Sequence, residues 1–428
     1  MSVIINTDPL DNNAALKQIG NAIMSYEPYR NNFYETIINK FALSILFSKS
    51  FSDQYAFMDR GMLQIGETVE GIYIDIAEVM GYDPQKAAGR ELKLYEGNVF
   101  TAYAAMNWQK LYPISISEVN ARQAFSSWGA MDAFIRGLIE SLYNAMRYDH
   151  SVMKHYALAR GILNGAFAVV TVPDLSDETN AKQNGIKVQS TVNDMTLVNT
   201  KYNPARVHNS DKITDLYIIT DNAHRSAVNY MVDAQAFNID KVQWTGHILS
   251  TWPFAQHDET RLAELIEDYE PFTDDELSAL GNVAFVCVAK DAMEVYINHR
   301  DMAATPVRSG AYTNYFLSDW LTITMWPWAQ RAVFAEGDNA ITGVTLTPTT
   351  ATVAPGGSLL VSASVAGSGL YDSSVTYSVS GAESDDTQIV DNQLNVGKDE
   401  TATTITVTAT ANGDDTKSAK CAVTVKSA

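Results

Sequence analysis

Seven histidines, two cysteines and 50 carboxylates are what this 428-residue chain offers for acid–base, nucleophilic or metal chemistry. A zinc-hydrolase pair sets two histidines four apart on one helical face, but His150 and His155 are five apart. They read as ordinary surface or partly buried helix histidines. His247 and His257 flank Trp252-Pro253-Phe254 with no carboxylate cluster at ligand spacing, so no metal is expected there. His299-Arg300-Asp301-Met302 matches the start of a kinase catalytic loop. That loop needs an asparagine five residues after its aspartate, and Pro306 stands in that place. Cys287 and Cys421 lie in apolar alternating runs and are expected as small buried strand residues. Asp258, Glu259, Glu264, Glu267, Asp268 and Glu270 form an acidic helix face suited to solvation. Asp385-Asp386 and Asp414-Asp415 sit at turns and lack calcium-loop spacing. With no nucleophile elbow, phosphate loop or dinucleotide fingerprint, the expectation is no catalytic, cofactor-binding or metal-binding residue, no cofactor, and no enzyme.

The elements around these residues say more. Hydrophobic residues at 46% and charged residues at 19% predict a globular chain, and its length predicts two or three domains. A net charge of −20 argues against nucleic-acid recognition as the main task. The start of the chain has no basic or apolar signal region, and no run approaches the ~18–20 apolar residues of a membrane span. A soluble protein kept in the cytosol is expected.

Asn31–Phe51 is apolar at helical spacing. Gln64–Val79 and Val99–Ile116 read as two long strands around a polar, turn-rich Gly81–Gly97, which together predict an extended two-stranded excursion. After Ser117 and Asn120, Met131, Phe134, Ile135, Leu138, Leu142 and Met146 recur at three and four. They predict a long helix running to about Gly161, with Leu138 in its core face. Residues 165–280 read as mixed, with a strand at Leu216–Thr220, a helix at Thr260–Tyr269 and a capping box at Thr273-Asp-Asp-Glu276. Val283–Ala289, Glu294–Asn298 and Thr322–Phe334 read as strands.

Composition breaks near Ala340. All seven tryptophans precede it, and short alternating strands follow at Ile341–Pro348, Ser358–Val365, Ser374–Val379, Thr401–Ala411 and Ala419–Val425. Glu336–Ala340 reads as a polar linker to an independent sandwich that shell building could do without. The opening Ile341-Thr-Gly-Val-Thr-Leu-Thr-Pro and the closing Cys421-Ala-Val-Thr-Val resemble the bacterial immunoglobulin-like group 2 domains.

A second resemblance spans nearly the whole chain. Gly66-Glu-Thr-Val-Glu-Gly-Ile-Tyr-Ile-Asp-Ile76 is followed by Ala124-Phe-Ser-Ser-Trp-Gly129, Phe134, Ile139 and Tyr143-Asn-Ala145. Then come Met293-Glu-Val-Tyr-Ile-Asn298, Tyr312-Thr-Asn-Tyr315, Trp320 and Ala332-Val-Phe334. In this order they resemble the major capsid proteins of small short-tailed phages of the phi 29 type; Trp326-Pro-Trp328 departs from that pattern. The resemblance implies an α+β chain with a Hong Kong 97-type capsid fold, followed by an all-β immunoglobulin-like sandwich. It divides the chain into an N-terminal arm (1–60), an extended β loop (61–117), a spine helix region (118–164) and an axial domain (165–280). Peripheral-domain strands and linker (281–340) and the immunoglobulin-like domain (341–428) complete it. The implied function is a major capsid protein that self-assembles into an icosahedral shell around double-stranded phage DNA, its extended loop packing on a neighbouring subunit.

The implied partners are further copies in pentameric and hexameric capsomers, a scaffolding protein, a portal and packaged DNA touched without specificity, with no membrane. Lys17, Arg30, Lys40, Lys49 and Arg60 suit weak contacts with DNA or scaffold, and equally an ordinary solubilising role. The implied location is the virion, assembled in the host cytoplasm. The alternative is a surface adhesion or host- or glycan-binding protein acting through the C-terminal domain. Such proteins carry an export signal and repeated sandwich domains, and neither is visible here.

Overall fold

The computed structural model describes residues 53–63, 68–77, 79, 97–117, 128–226, 247–310, 312–384, 386–390 and 392–426, with side chains of the long helix described from Gly137. The expected arm helix at 31–51, the arm's other cations, the turn-rich 81–96 and the helix start at 118–127 lie outside these residues, as do the side chains of Met131, Phe134 and Ile135.

The described residues before the long helix hold four strands: β1 (Asp59–Met62), β2 (Val69–Ile74), β3 (Val99–Ala104) and β4 (Trp108–Ser117). The helix α1 (Trp128–Leu163) has 36 residues, about 54 Å at 1.5 Å per residue. After it come β5 (Ala168–Val172), α2 (Glu178–Met195), β6 (Leu216–Thr220), β7 (Ile248–Ser250), α3 (Glu259–Leu265) and α4 (Asp274–Gly281). Then follow β8 (Val283–Ala289), β9 (Met293–Val307), β10 (Tyr312–Met325) and β11 (Arg331–Glu336).

These strands make two main sheets and a ribbon. One sheet has the order β5-β11-β8-β6-β7, the other β1-β9-β10-β4, and among the described residues β2 pairs with β3 alone. Every residue of β8 is buried, because both faces are covered. Phe285 and Cys287 meet Val188, Val192 and Met195 of α2 on one side. Val286 and Val288 join Leu158 and Ile162 of α1 on the other. This sheet takes strands from both sides of residue 280. The second sheet packs under α1, with Leu142 and Met146 on Tyr112 and Leu317, and Met153 on Trp108, Val295 and Leu321.

Several sequence expectations shift for local reasons. The run Val99–Ile116 is two strands in different sheets. Asn107 breaks it by imitating a strand backbone: its amide donates to the Ile323 carbonyl at 2.8 Å and accepts from the Ile323 N–H at 2.9 Å. The run Thr322–Phe334 is also two strands, since Pro327 has no N–H for a ladder and Trp326–Ala329 turn the chain. The Thr260 helix stops at Leu265, where Ile266 turns to extended backbone. The Thr273–Glu276 capping box is present. Leu138 is only half-buried; Ile139, Leu142 and Met146 carry the core face. Helix α2 has no counterpart among the expected elements. Asp177 caps it, accepting from the Asn180 N–H at 2.7 Å.

The C-terminal strands are β12 (Ala340–Thr347), β13 (Thr350–Val353), β14 (Ser358–Leu360), β15 (Ser362–Ser368) and β16 (Val375–Ser380). They continue with β17 (Gln388–Val390), β18 (Gln393–Asn395), β19 (Thr404–Ala411) and β20 (Ser418–Val425). They form β12-β15, β13-β20-β19-β16 and β14-β18-β17 around Leu346, Val361, Leu394, Ile405, Val407, Cys421 and Val423. The run Ser358–Val365 divides at the buried Val361, where the chain changes sheets. Glu336–Ala340 is less a linker than a fastened turn. Asn339 donates to the Ala335 and Glu336 carbonyls at 3.0 Å and accepts from the Leu370 N–H at 2.8 Å. Leu370 itself lies in the main core of the preceding residues.

Candidate functional site

The polar residues of α1 serve as pins. Asp149 accepts from Arg261 Nε and Nη2 at 2.7 and 2.9 Å, tying α1 to α3. His150 Nε2 lies 2.6 Å from Asp319, whose other oxygen accepts from Arg300 Nε and Nη2 at 2.8 and 2.7 Å. Burial pushes the Asp319 carboxyl up, but His150 and Arg300 outweigh it and hold the group below the usual range. The fully buried Lys154 donates to Asp53 at 2.7 Å, to Asp59 at 2.6 Å and to the Tyr55 carbonyl at 3.3 Å. These bonds fasten the segment leading into β1.

The suspected catalytic and metal motifs resolve in the same way. Arg300 of the kinase-like tetrapeptide belongs to the Asp319 cluster, and His299 rests against the Trp320 ring. His155 and His257 come together, with ring centroids 5.2 Å apart, but inside an aromatic nest of Trp252, Phe254 and Phe272. Burial, reinforced by His257, lowers the His155 pKa to about 3. Both rings are neutral stacking partners at physiological pH. Cys287 is wholly buried and its thiol is pushed up to about 12, which makes it unreactive. Among the described residues no group of three or more His, Cys, Asp or Glu could hold a metal ion. None of the described helices is long and apolar enough to cross a membrane.

What stands out instead is a surface. In the β2–β3 ribbon, Ile74 faces Val99, Ile72 faces Thr101 and Glu70 faces Tyr103, and strand alternation puts all six on one side. Ile74 is 72% exposed, Tyr103 69%, Ile72 57% and Val99 54%, and Ile76 just beyond β2 is exposed as well. A lone two-stranded ribbon carrying such a face is not stable by itself, and a contiguous apolar strip marks an interaction site.

The opposite side of the ribbon lies on the body. Gly71 sits flat on Trp326 and Trp328, which stack at 5.2 Å, and an added Cβ there would lie 2.5 Å from one indole and 2.6 Å from the other. Tyr73 stacks on Trp328 at 6.0 Å, and its hydroxyl donates to the His208 carbonyl at 2.6 Å. Asp75 accepts from the His208 N–H at 3.1 Å and lies 3.0 Å from Nδ1. The ribbon is thus held at its root, and among the described residues nothing is packed on its outer face. The Trp326–Trp328 pair is its seat. A glycine opposite two tryptophans that follow it by 255 and 257 positions leaves no local signal in the sequence.

Comparison with known proteins agrees with a shell-building role. A family model described as "Phi29-like phage major capsid protein" matches residues 6–335. The major capsid protein of Bacillus phage B103 is 27% identical over 407 residues, covering 94% of this chain and 85% of that protein. The alignment therefore continues beyond residue 335 into the C-terminal strands. The major capsid protein of Bacillus phage PZA is 24% identical, covering 95% of this chain and 87% of its own length. A chain from the capsid structure of Staphylococcus phage Andhra superposes with a TM-score of 0.53 at 12% identity, covering 68% of this chain and 86% of that one. That likeness concerns the fold.

Proposed function

Because the chain belongs to the Phi29-like phage major capsid protein family, and is a structural virion protein that self-associates into capsid shells, we propose that the β2–β3 ribbon is the arm by which each subunit grips its neighbour. The observation that carries this is the bare apolar face of Ile72, Ile74, Val99 and Tyr103 on a ribbon whose other face is already seated. A second copy covering that strip removes it from water. The capsid family favours this role over adhesion through the C-terminal strands.

The finer assignments belong to the same proposal. The fold is read as Hong Kong 97-type, with 61–117 as the extended loop, 118–164 as the spine helix region, 165–280 as the axial domain and 281–340 as peripheral-domain strands and linker. The C-terminal strands are read as an immunoglobulin-like group 2 domain. Subunits are taken to form pentamers and hexamers of an icosahedral shell in the host cytoplasm, with a scaffolding protein and portal. The shell encloses double-stranded DNA that it touches without specificity; a net charge of −20 suits loose contact.

Ile74→Glu tests the arm. The variant should remain a folded subunit by circular dichroism and form no shells by negative-stain microscopy. Shells at wild-type yield would overturn the assignment.

A further inference from the structure

Residues 202–209 form a loop that three distant parts of the chain hold at once. Asn203, itself buried, closes it: its amide donates to the Val207 carbonyl at 2.8 Å and accepts from the Val207 N–H at 2.9 Å. The Ala205 N–H donates to the Pro327 carbonyl at 2.9 Å and Asn209 Nδ2 to the Trp328 carbonyl at 3.0 Å, so the loop is bonded to the turn that seats the ribbon. Arg206 stands in left-handed backbone with φ 54°, a conformation an arginine adopts only when its surroundings enforce it. Its guanidinium donates to the Lys201 carbonyl at 2.9 Å and pairs with Asp372 of the C-terminal strand unit, with Ser374 at 3.4 Å. Asp372 is buried, and Ser374 in turn accepts from Asn412 Nδ2 at 2.7 Å, beside the β19–β20 turn. Two residues along, His208 makes the Asp75 and Tyr73 bonds that hold the ribbon root.

We infer that the 202–209 loop couples the C-terminal strand unit to the assembly ribbon, with Arg206 gripping the one and His208 the other on a single closed loop. The Asn203–Val207 bonds close the stretch that holds Arg206, and the paired Asn199–Asn209 backbone bonds at 3.0 and 2.9 Å close the wider one that also holds His208, so a shift at Arg206 is passed on to His208. The C-terminal unit thereby stiffens the ribbon through the loop, and seating of the ribbon tightens the C-terminal unit's attachment. Such a coupling is reciprocal by thermodynamic necessity. It is a property of the single chain and stands whether or not the ribbon meets a second copy.

Hydrogen–deuterium exchange on the unassembled full-length chain tests it. Arg206→Asn keeps a residue that tolerates left-handed backbone and removes the reach to Asp372. Asp372→Asn cuts the same pair from the other side. Either should speed exchange of the amides pairing β2 with β3 by about fivefold or more, the lower end of measured site-to-site coupling. Asp75→Asn should do the same to the amides of 370–374. Faster exchange confined to 370–374 in the first two variants overturns the proposal. So does a uniform acceleration that includes β8, which reports global loosening instead.

Discussion

His155 should make this subunit acid-labile, by an amount that can be worked out. Its ring is 2% exposed, stacked on Phe254 at 4.9 Å and set edge-on to Trp252 at 5.9 Å. Tyr55 Oη lies 2.9 Å from Nδ1, while His257 faces it from the 251–257 segment and Arg160 of α1 lies near His257. Burial first, then His257, lowers its pKa from 6.5 to about 3. A folded pKa below the unfolded one means the unfolded chain binds the proton first, so stability is full above pH 6.5 and drains as pH falls towards 3. The loss is close to 1.4 kcal/mol per pH unit, or about 2 kcal/mol between pH 7 and pH 5 from this residue alone. His257, lowered to about 4 but only half-buried, adds a smaller amount in the same direction. His155→Phe retains the stacking and leaves Tyr55 its bond to Thr251 at 2.6 Å. Urea unfolding at pH 7 and pH 5 should show wild type losing about 2 kcal/mol more than the variant. Equal losses in the two proteins would refute the reasoning.

Other perturbations probe the frame around it. Leu142→Ala should cost about 2–5 kcal/mol in denaturant unfolding, since Leu142 packs on Tyr112 and Leu317, whereas the half-buried Leu138 should cost less. Lys154→Ala leaves Asp53 and Asp59 facing an empty pocket and should cost about 3–5 kcal/mol; Lys154→Met, which fills the space, should cost less by the same assay. Gly71→Val should lift the ribbon off Trp326 and Trp328, costing about 1–3 kcal/mol and shifting tryptophan fluorescence; an unchanged spectrum would mean the seat is looser than drawn.

What could be read from the sequence was whatever is local or repetitive. Val283–Ala289 is legible as a strand because a run buried on both faces has no polar interruption. The Thr273 capping box is legible because its two bonds join residues three apart. The Asn, Gln and Lys residues of helix α2 obscure its pattern, although Asp177 and the spacing of Ala181, Val188, Val192 and Met195 carry its signal. Pro327 was the visible warning that the last run was not one strand. The ion cluster of His150, Arg300 and Asp319 gave no such hint, since its members come from three elements that only the tertiary fold brings together. Nor did the ribbon seat or the 202–209 junction, for the same reason.

The β1-β9-β10-β4 sheet has a consequence for how the chain comes to be folded. Its strands begin at Asp59, Trp108, Met293 and Tyr312, and the early pair β1 and β4 do not touch each other but flank the late hairpin β9–β10. During synthesis β1 and β4 therefore leave the ribosome with no partner edge to join, and the sheet cannot close until Met325 has emerged. Pairings of such sequence separation are slow to form and leave strand edges open in the meantime. The C-terminal strands, made last, mix neighbour pairings such as β17–β18 and β19–β20 with long-range ones such as β13–β20. Nascent chains should thus pass through a state in which α1 is formed and β4 waits, open to another chain's edge until its own hairpin arrives.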